Sequence, residues 1–437
     1  MTHTLQDLES GKLIGVKRLK LACGLKEFPE TILTLAETLE ILDLSDNDLT
    51  KLPQGIVQLK KLKVIFFANN AFTEFPKILS ELPLLNMIGF KANKIKSIPE
   101  NAFPPLLNWL ILTNNKIEKL PKTIGNCTLL QKFALAGNCV KTLPVEMANC
   151  KNLELFRVSA NQLESIPEWL FELPKLSWLA FGGNPATYQM QLNTNLESYN
   201  WSDFTITKPL GEGASGFIYK AHWVSKKQDV AIKVFKGAVT SDGLPEDEME
   251  ISIAAGVHNN LISVLGKIKE HPEEKNGLIM TLIPPAYTNL GNPPSFKTCT
   301  RDVFNENTFF SLDALLKIAK GIASVCEQLH NKGINHGDLY AHNILINPEA
   351  ESLLGDFGAA SFYNVTSKLA HCIERVEVRA FGCLLEDILG LIPQKAIHHE
   401  LFVMWQKLIA NCFNDDVKLR PSFSEILDVL NSELFVS

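Results

Sequence analysis

A fifteen-residue phrase returns along the first half of the chain at an almost fixed interval, and that interval restricts the segment to a stacked architecture. It reads "LEILDLSDNDLTKLP" (39–53), then "LKVIFFANNAFTEFP" (62–76), "LNMIGFKANKIKSIP" (85–99) and "LNWLILTNNKIEKLP" (107–121). It returns as "LQKFALAGNCVKTLP" (130–144) and "LELFRVSANQLESIP" (153–167), and fades in "LSWLAFGGNP" (176–185). Asn47, Asn70, Asn93, Asn115, Asn138, Asn161 and Asn184 fall at steps of 23, 23, 22, 23, 23 and 23, and "VKRLKLACGLKEFP" (16–29) is a degraded first copy. One such copy cannot bury its own apolar face; stacking the copies does. Each supplies a short strand with apolar side chains turned inward, as Leu39, Leu42 and Leu44 do. The asparagine amides are placed to bond the turn and the neighbouring copy, forming a ladder.

The pattern LxxLxLxxNxL resembles the leucine-rich repeat over residues 15–185, which implies an α/β solenoid. Repeats of this kind commonly bind proteins on their concave face. The column there is Ile41, Val64, Met87, Trp109, Lys132, Leu155 and Trp178, so a protein substrate or partner is expected on it. The same side chains can instead shield the strands or touch the following domain.

At 437 residues the chain is too long for one ordinary core. A net charge of −6 gives no electrostatic reason to expect nucleic acid. No run of 18 apolar residues occurs, and the N-terminus lacks the apolar core of a signal peptide. The nine cysteines form no CxxC pair, which fits reduced thiols in a cytoplasmic protein. A secreted effector using a non-classical route has the same composition.

After Pro185 the period stops, and 186–203 is a polar connector. The next segment, "FTITKPLGEGASGFIYKAHW" (204–223), carries GxGxxG at Gly211, Gly213 and Gly216. That spacing alone also serves dinucleotide-binding domains, where a helix follows. Here the alternating "FIYKAHWV" follows, a strand, and "DVAIKVFK" then puts Lys233 on the next one. A glycine loop between two strands lays backbone amides over phosphates, and a lysine on the third strand neutralises them.

From about 204 to 437 the chain resembles a protein kinase catalytic domain, a bilobal α+β fold. The motifs in order are "LGEGASGFI", "AIK", "EDEMEISIAAGVHNNLI" (246–262), "INHGDLYAHNILI" (334–346), "LLGDFGAASF" and "LIANCFNDDVKLRPSFSEILDVL" (408–430). The last, with Arg420-Pro421-Ser422-Phe423, is similar to the closing helices of tyrosine-kinase-like kinases. The resemblance implies ATP and Mg²⁺. ATP would lie against Leu210, Gly211, Glu212, Gly213, Ala214, Ser215, Gly216, Phe217, Ile218, Lys233 and Met280. Asp338 would accept or orient the substrate hydroxyl, and Asn343 and Asp356 would hold the metal. Lys233 would pair with Glu248 or Glu250; Glu248 is preferred, although the spacing to His258 does not decide.

Several departures stand out. Gly337 occupies the position of the arginine that receives a phosphorylated activation loop in many protein kinases. Tyr340 and His342 stand where serine/threonine kinases place lysine and tyrosine kinases place arginine. His342 is either a donor toward phosphate or a structural residue. Only about twenty residues separate Asp356 from "VEVRAFGCLLEDIL" (376–389), with no Ala-Pro-Glu triplet, and Glu377 replaces an expected aspartate. Glu374 is the candidate partner for Arg420. The expected activity is phosphoryl transfer to protein serine or threonine. The alternatives are a pseudokinase scaffold and a small-molecule phosphotransferase, since "HGDL" with a later asparagine also resembles aminoglycoside and choline kinases.

Overall fold

The structure, a computed structural model, describes residues 3–188, 196–237, 239–240, 242–393 and 399–432. It forms two compact units, Met1–Leu173 with Asn184–Ala186, and Pro174–Gly183 with Thr187–Ser437.

The first unit is the solenoid. A short helix α1 (Leu5–Glu9), capped by the Thr4 side chain, precedes β1 (Arg18–Lys20). Then come β2 (Ile41–Asp43), β3 (Val64–Phe66), β4 (Met87–Gly89), β5 (Trp109–Ile111), β6 (Lys132–Ala134) and β7 (Leu155–Arg157). All pair in parallel, and Ile41, Val64, Met87, Trp109, Lys132 and Leu155 share one register. The proline ending each phrase fixes φ for the single 3-10 turn that follows, as at Pro53, Pro121 and Pro144. Leu39, Leu42 and Leu44 are fully buried.

The asparagine ladder serves the turns that no strand satisfies. Asn93 donates to Phe67 O (2.8 Å) and Phe90 O (3.2 Å), and its Oδ1 accepts from Phe72 N at 3.1 Å. Asn47, Asn115 and Asn138 repeat the pattern in their own copies. Replacing such a residue strands buried backbone groups that water cannot reach. Asn93→Ala is therefore expected to destabilise the protein by roughly 1–3 kcal/mol in denaturant unfolding. An unchanged midpoint would contradict the ladder's role.

The second unit begins with the last phrase of the repeat. Strand β8 (Trp178–Ala180) lies in Pro174–Gly183, which belongs to this unit. Of the connector, 189–195 lies outside the described residues. Its end is not plain coil: β9 (Ser198–Asn200) adds in parallel to a sheet edge, and Asn200 and Asp203 form a capping box.

The sheet orders β10 (Phe204–Glu212), β11 (Gly216–Trp223), β12 (Gln228–Phe235), β14 (Gly277–Thr281), β13 (Val264–Lys269) and β9. Between β12 and β13 runs α2 (Pro245–Ala255). Next come β15 (Thr288–Asn289), the long α3 (Leu312–Asn331), β16 (Ile334–Asn335), β17 (Ile344–Ile346), β18 (Ser352–Leu354) and β19 (Ser361–Phe362). Helices α4 (Ala370–Gly390), α5 (His399–Cys412) and α6 (Phe423–Asn431) close the chain. Ser311 caps α3, whose buried face is Leu315, Ile318, Ile322, Val325 and Leu329, the spacing of one helical stripe. No helix among the described residues is long and apolar enough to cross a membrane.

Candidate active site

The glycine loop joins β10 to β11. Gly213 N donates to Gly216 O at 2.9 Å, closing the turn. A Cβ on Gly216 would stand 2.5 Å from Val234 O, so the close approach of β12 excludes any side chain there. Lys236, just past β12, ties the loop by reaching Glu212 Oε1 (2.6 Å) and Gly213 O (3.0 Å).

Lys233 lies on β12 in register with Ile218 and Leu278. Its ammonium forms an ion pair with Glu248, on the first turn of α2. Glu248 is 3% exposed, whereas Glu250 is exposed, so the geometry selects the former. Burial raises the Glu248 carboxyl above its ordinary pKa, Lys233 opposes that, and Asp356 adds to it.

A cavity of about 180 Å³ opens beside this pair. Gly213, Ala214, Ser215, Gly216, Ile218, Lys233, Glu248, Met280 and Asp356 line it. Leu210, Gly211, Glu212, Phe217, Asp338 and Asn343 do not. The cavity also takes in Leu278, which the sequence reading missed. Leu278 sits two residues from Met280 on one strand face, so alternation within "GLIMT" carried the signal.

The loop around Asp338 follows β16, which pairs with β19. Glu377 on α4 holds its backbone: Oε1 accepts from Gly337 N (2.7 Å) and Oε2 from His336 N (3.1 Å). His330 Nε2 lies 2.8 Å from Glu377 Oε2, off the line of a hydrogen bond. Burial pushes the Glu377 carboxyl up, but the histidines and the Gly337 amide outweigh it and leave the pKa lowered. Asn343 Nδ2 donates to Asp338 O (2.9 Å) and Oδ2 (2.7 Å). Asp356 takes φ +56 at the bend into Phe357, which is buried against His336.

His342 is tied to Asp302, which the sequence reading missed. Nδ1 lies 2.7 Å from Asp302 Oδ1, and the backbone N donates to Oδ2 at 3.1 Å. The irregular stretch 284–304, without a role in the sequence, thus braces the loop. Arg301 anchors it through Glu386 (2.8 Å) and the Cys383 carbonyl (3.0 Å) on α4.

Two expectations are corrected. Arg420 does not pair with Glu374. It donates to the carbonyls of Asn414 (2.9 Å), Arg375 (3.0 Å) and Pro174 (2.6 Å), while Glu374 accepts from Phe423 N at 2.8 Å. Burial, with Arg379 adding, lowers the Arg420 pKa to about 10. Nor is Trp178 part of an open column with Ile41, Met87 and Trp109. It is 1% exposed and stacked on Tyr340 at 4.3 Å. Met87 is also buried, Ile41 and Trp109 are half-buried, and Lys132 covers the Trp109 ring.

The fold and the arrangement of these side chains are those of a protein kinase domain, and the comparisons agree. Residues 204–380 match the protein kinase domain, and 37–95 match the leucine rich repeat. The chain is therefore a leucine-rich-repeat array joined to a protein kinase domain. It is 24% identical over 286 residues to a probable serine/threonine-protein kinase of Dictyostelium discoideum, covering 56% of this chain and 30% of the relative. It is 26% identical to a probable LIM domain-containing serine/threonine-protein kinase of the same organism, covering 51% and 38%. With fibroblast growth factor receptor 1 of Xenopus laevis it shares 28% identity, covering 53% and 35%. The chain thus spans well under half the length of these relatives.

The His342 pKa gives a signed prediction. Burial lowers it, but Asp302, then Asp338 and Asp356, raise it above the ordinary value. A raised histidine stabilises fully below its unfolded pKa of about 6.5, and the contribution fades as pH rises through the folded value. The thermal-stability gap between wild type and Asp302→Asn is expected to be widest below about pH 6.5 and to narrow above it. A gap that widens with pH would contradict the pairing.

Proposed function

We propose that the chain is an ATP-dependent protein kinase acting on serine or threonine hydroxyls in intracellular signalling. The carrying observation is the buried Lys233–Glu248 ion pair on the wall of a cavity that also holds Asp356. Desolvating two charges is costly, and a scaffold needs no such pair at a cavity mouth. The serine/threonine assignment draws on the names of the Dictyostelium relatives. The cytoplasmic setting draws on composition.

In this reading Lys233, fixed by Glu248, positions the ATP phosphates under the glycine loop. Asp338, held by the Asn343 amide, orients the acceptor hydroxyl and receives its proton. Asn343 spends its nitrogen on Asp338, so its oxygen and the Asp356 carboxylate remain as oxygen donors, a set that suits Mg²⁺. The ion supplies charge neutralisation on the transferred phosphoryl group. The residues' own share is positioning and electrostatics.

The repeat unit is assigned to protein binding. Leu84, Leu106 and Leu129 fall at equivalent positions of successive copies and are 41%, 39% and 45% exposed. Such a row supports a protein-facing surface outside the concave column, most of which is buried.

Transfer of labelled γ-phosphate from Mg-ATP to the chain or to an extract tests the activity, with phosphoamino-acid analysis to identify the acceptor. Asp338→Asn is expected to reduce transfer at least about a hundredfold. Phosphotyrosine as the product would overturn the serine/threonine assignment. ATP binding without any transfer would overturn the kinase itself.

A further inference from the structure

The segment Pro174–Gly183 belongs by sequence to the last repeat, yet it is built into the second unit around the catalytic loop. The Trp178 indole Nε1 donates to Leu339 O at 3.0 Å, and its ring lies parallel to Tyr340 within 6°. These are the two residues that follow Asp338. Leu179 O accepts from Asn335 Nδ2 at 2.9 Å, just before that loop. On the other side, Ser361 Oγ accepts from Phe181 N (3.0 Å) and Gly182 N (2.9 Å). Arg379 of α4 donates to Ser177 Oγ at 2.7 Å, and Arg420 donates to Pro174 O.

The same geometry explains Gly337. Its φ is +71, and a Cβ would stand 2.6 Å from Leu179 O and 2.7 Å from Ala359 O. No side chain fits, so an arginine reaching out to a phosphate from this position is sterically excluded. Two hydroxyls of 359–375 are engaged: Ser361 is fully buried on two amides, and Tyr363 bonds His330 Nδ1 at 2.9 Å, whereas Thr366 is exposed.

We propose that Pro174–Gly183 is a built-in positioning strap for the catalytic loop, with Trp178 its main contact, holding Asp338 in working geometry without phosphorylation of 359–375. This rests on the kinase assignment above. Trp178 is a positioning residue: it acts on Asp338 through Leu339 and Tyr340. A displacement near 1 Å at such a centre costs about a hundredfold in rate, so a short strap has large leverage.

The test uses the full chain with Trp178→Phe, which keeps the stacked ring and removes the donor, and Trp178→Leu, which removes both. The expected kcat losses are about tenfold and about a hundredfold, with KM for ATP within about twofold, because the glycine loop and Lys233 are untouched. Amide hydrogen exchange should quicken across 336–343 and stay unchanged across 218–233. Phosphatase treatment of the wild type should leave kcat within about twofold.

Unchanged kcat in a folded Trp178→Leu protein would overturn the strap, as would a tenfold loss on phosphatase treatment. Parallel changes in kcat, KM and exchange over the whole unit would make Trp178 an ordinary core residue. Should Trp178→Leu fail to fold, Trp178→Phe decides by the same criteria. If the wild type transfers nothing, the kinase assignment fails separately; faster exchange confined to 336–343 then supports the strap, and its absence refutes it.

Discussion

The turn that carries Asp338 hangs on the carboxylate of Glu377. That group is 1% exposed and takes the backbone amides of His336 and Gly337, with His330 beside it. A buried charge is tolerable only when its hydrogen bonds are made, and here they are made to backbone. The loop is therefore fixed by α4, and α4 is fixed in turn by what surrounds it: Arg301 binds one end through Cys383 O, and Arg420 binds Arg375 O. Asp302 and Trp178 brace the loop's later residues. With so many braces, a loop that lacks its regulatory arginine can still hold one geometry.

Positioning carries the proposed activity, because phosphoryl transfer asks little else of a protein. The Lys233–Glu248 pair depends on α2 presenting its first turn to β12. Pro245 at the first helical position and acidic residues in the first turn favour a helix start at that point. Downstream, the Ser422–Glu425 capping box starts α6, which sets Phe423 against His330 and Phe381. His330 is the residue that touches Glu377, so the closing motif connects to the catalytic turn through one aromatic stack.

Local and periodic features were legible in the sequence. The asparagine interval announced the ladder, and the alternation around "DVAIKVFK" placed Lys233 on a strand facing a glycine loop. Contacts that join distant segments were not. Asp302 and His342 are forty residues apart and no spacing rule links them. Arg420 was expected to seek a carboxylate, but it is solvated by three carbonyls, one of them 246 residues earlier. Trp178 fell on the repeat's strand register and so looked like its neighbours Trp109 and Lys132. Only its burial against Tyr340 separates it from them.

We propose that Lys233, Glu248, Asn343 and Asp356 form one nucleotide site arranged in advance. A crystal structure of the full chain with Mg²⁺ and a non-hydrolysable ATP analogue tests it most directly. The prediction is that the analogue's phosphates lie under Gly213–Gly216 with Lys233 still on Glu248, and the cation between Asn343 and Asp356. A nucleotide bound elsewhere, or bound with Glu248 displaced from Lys233, would contradict it.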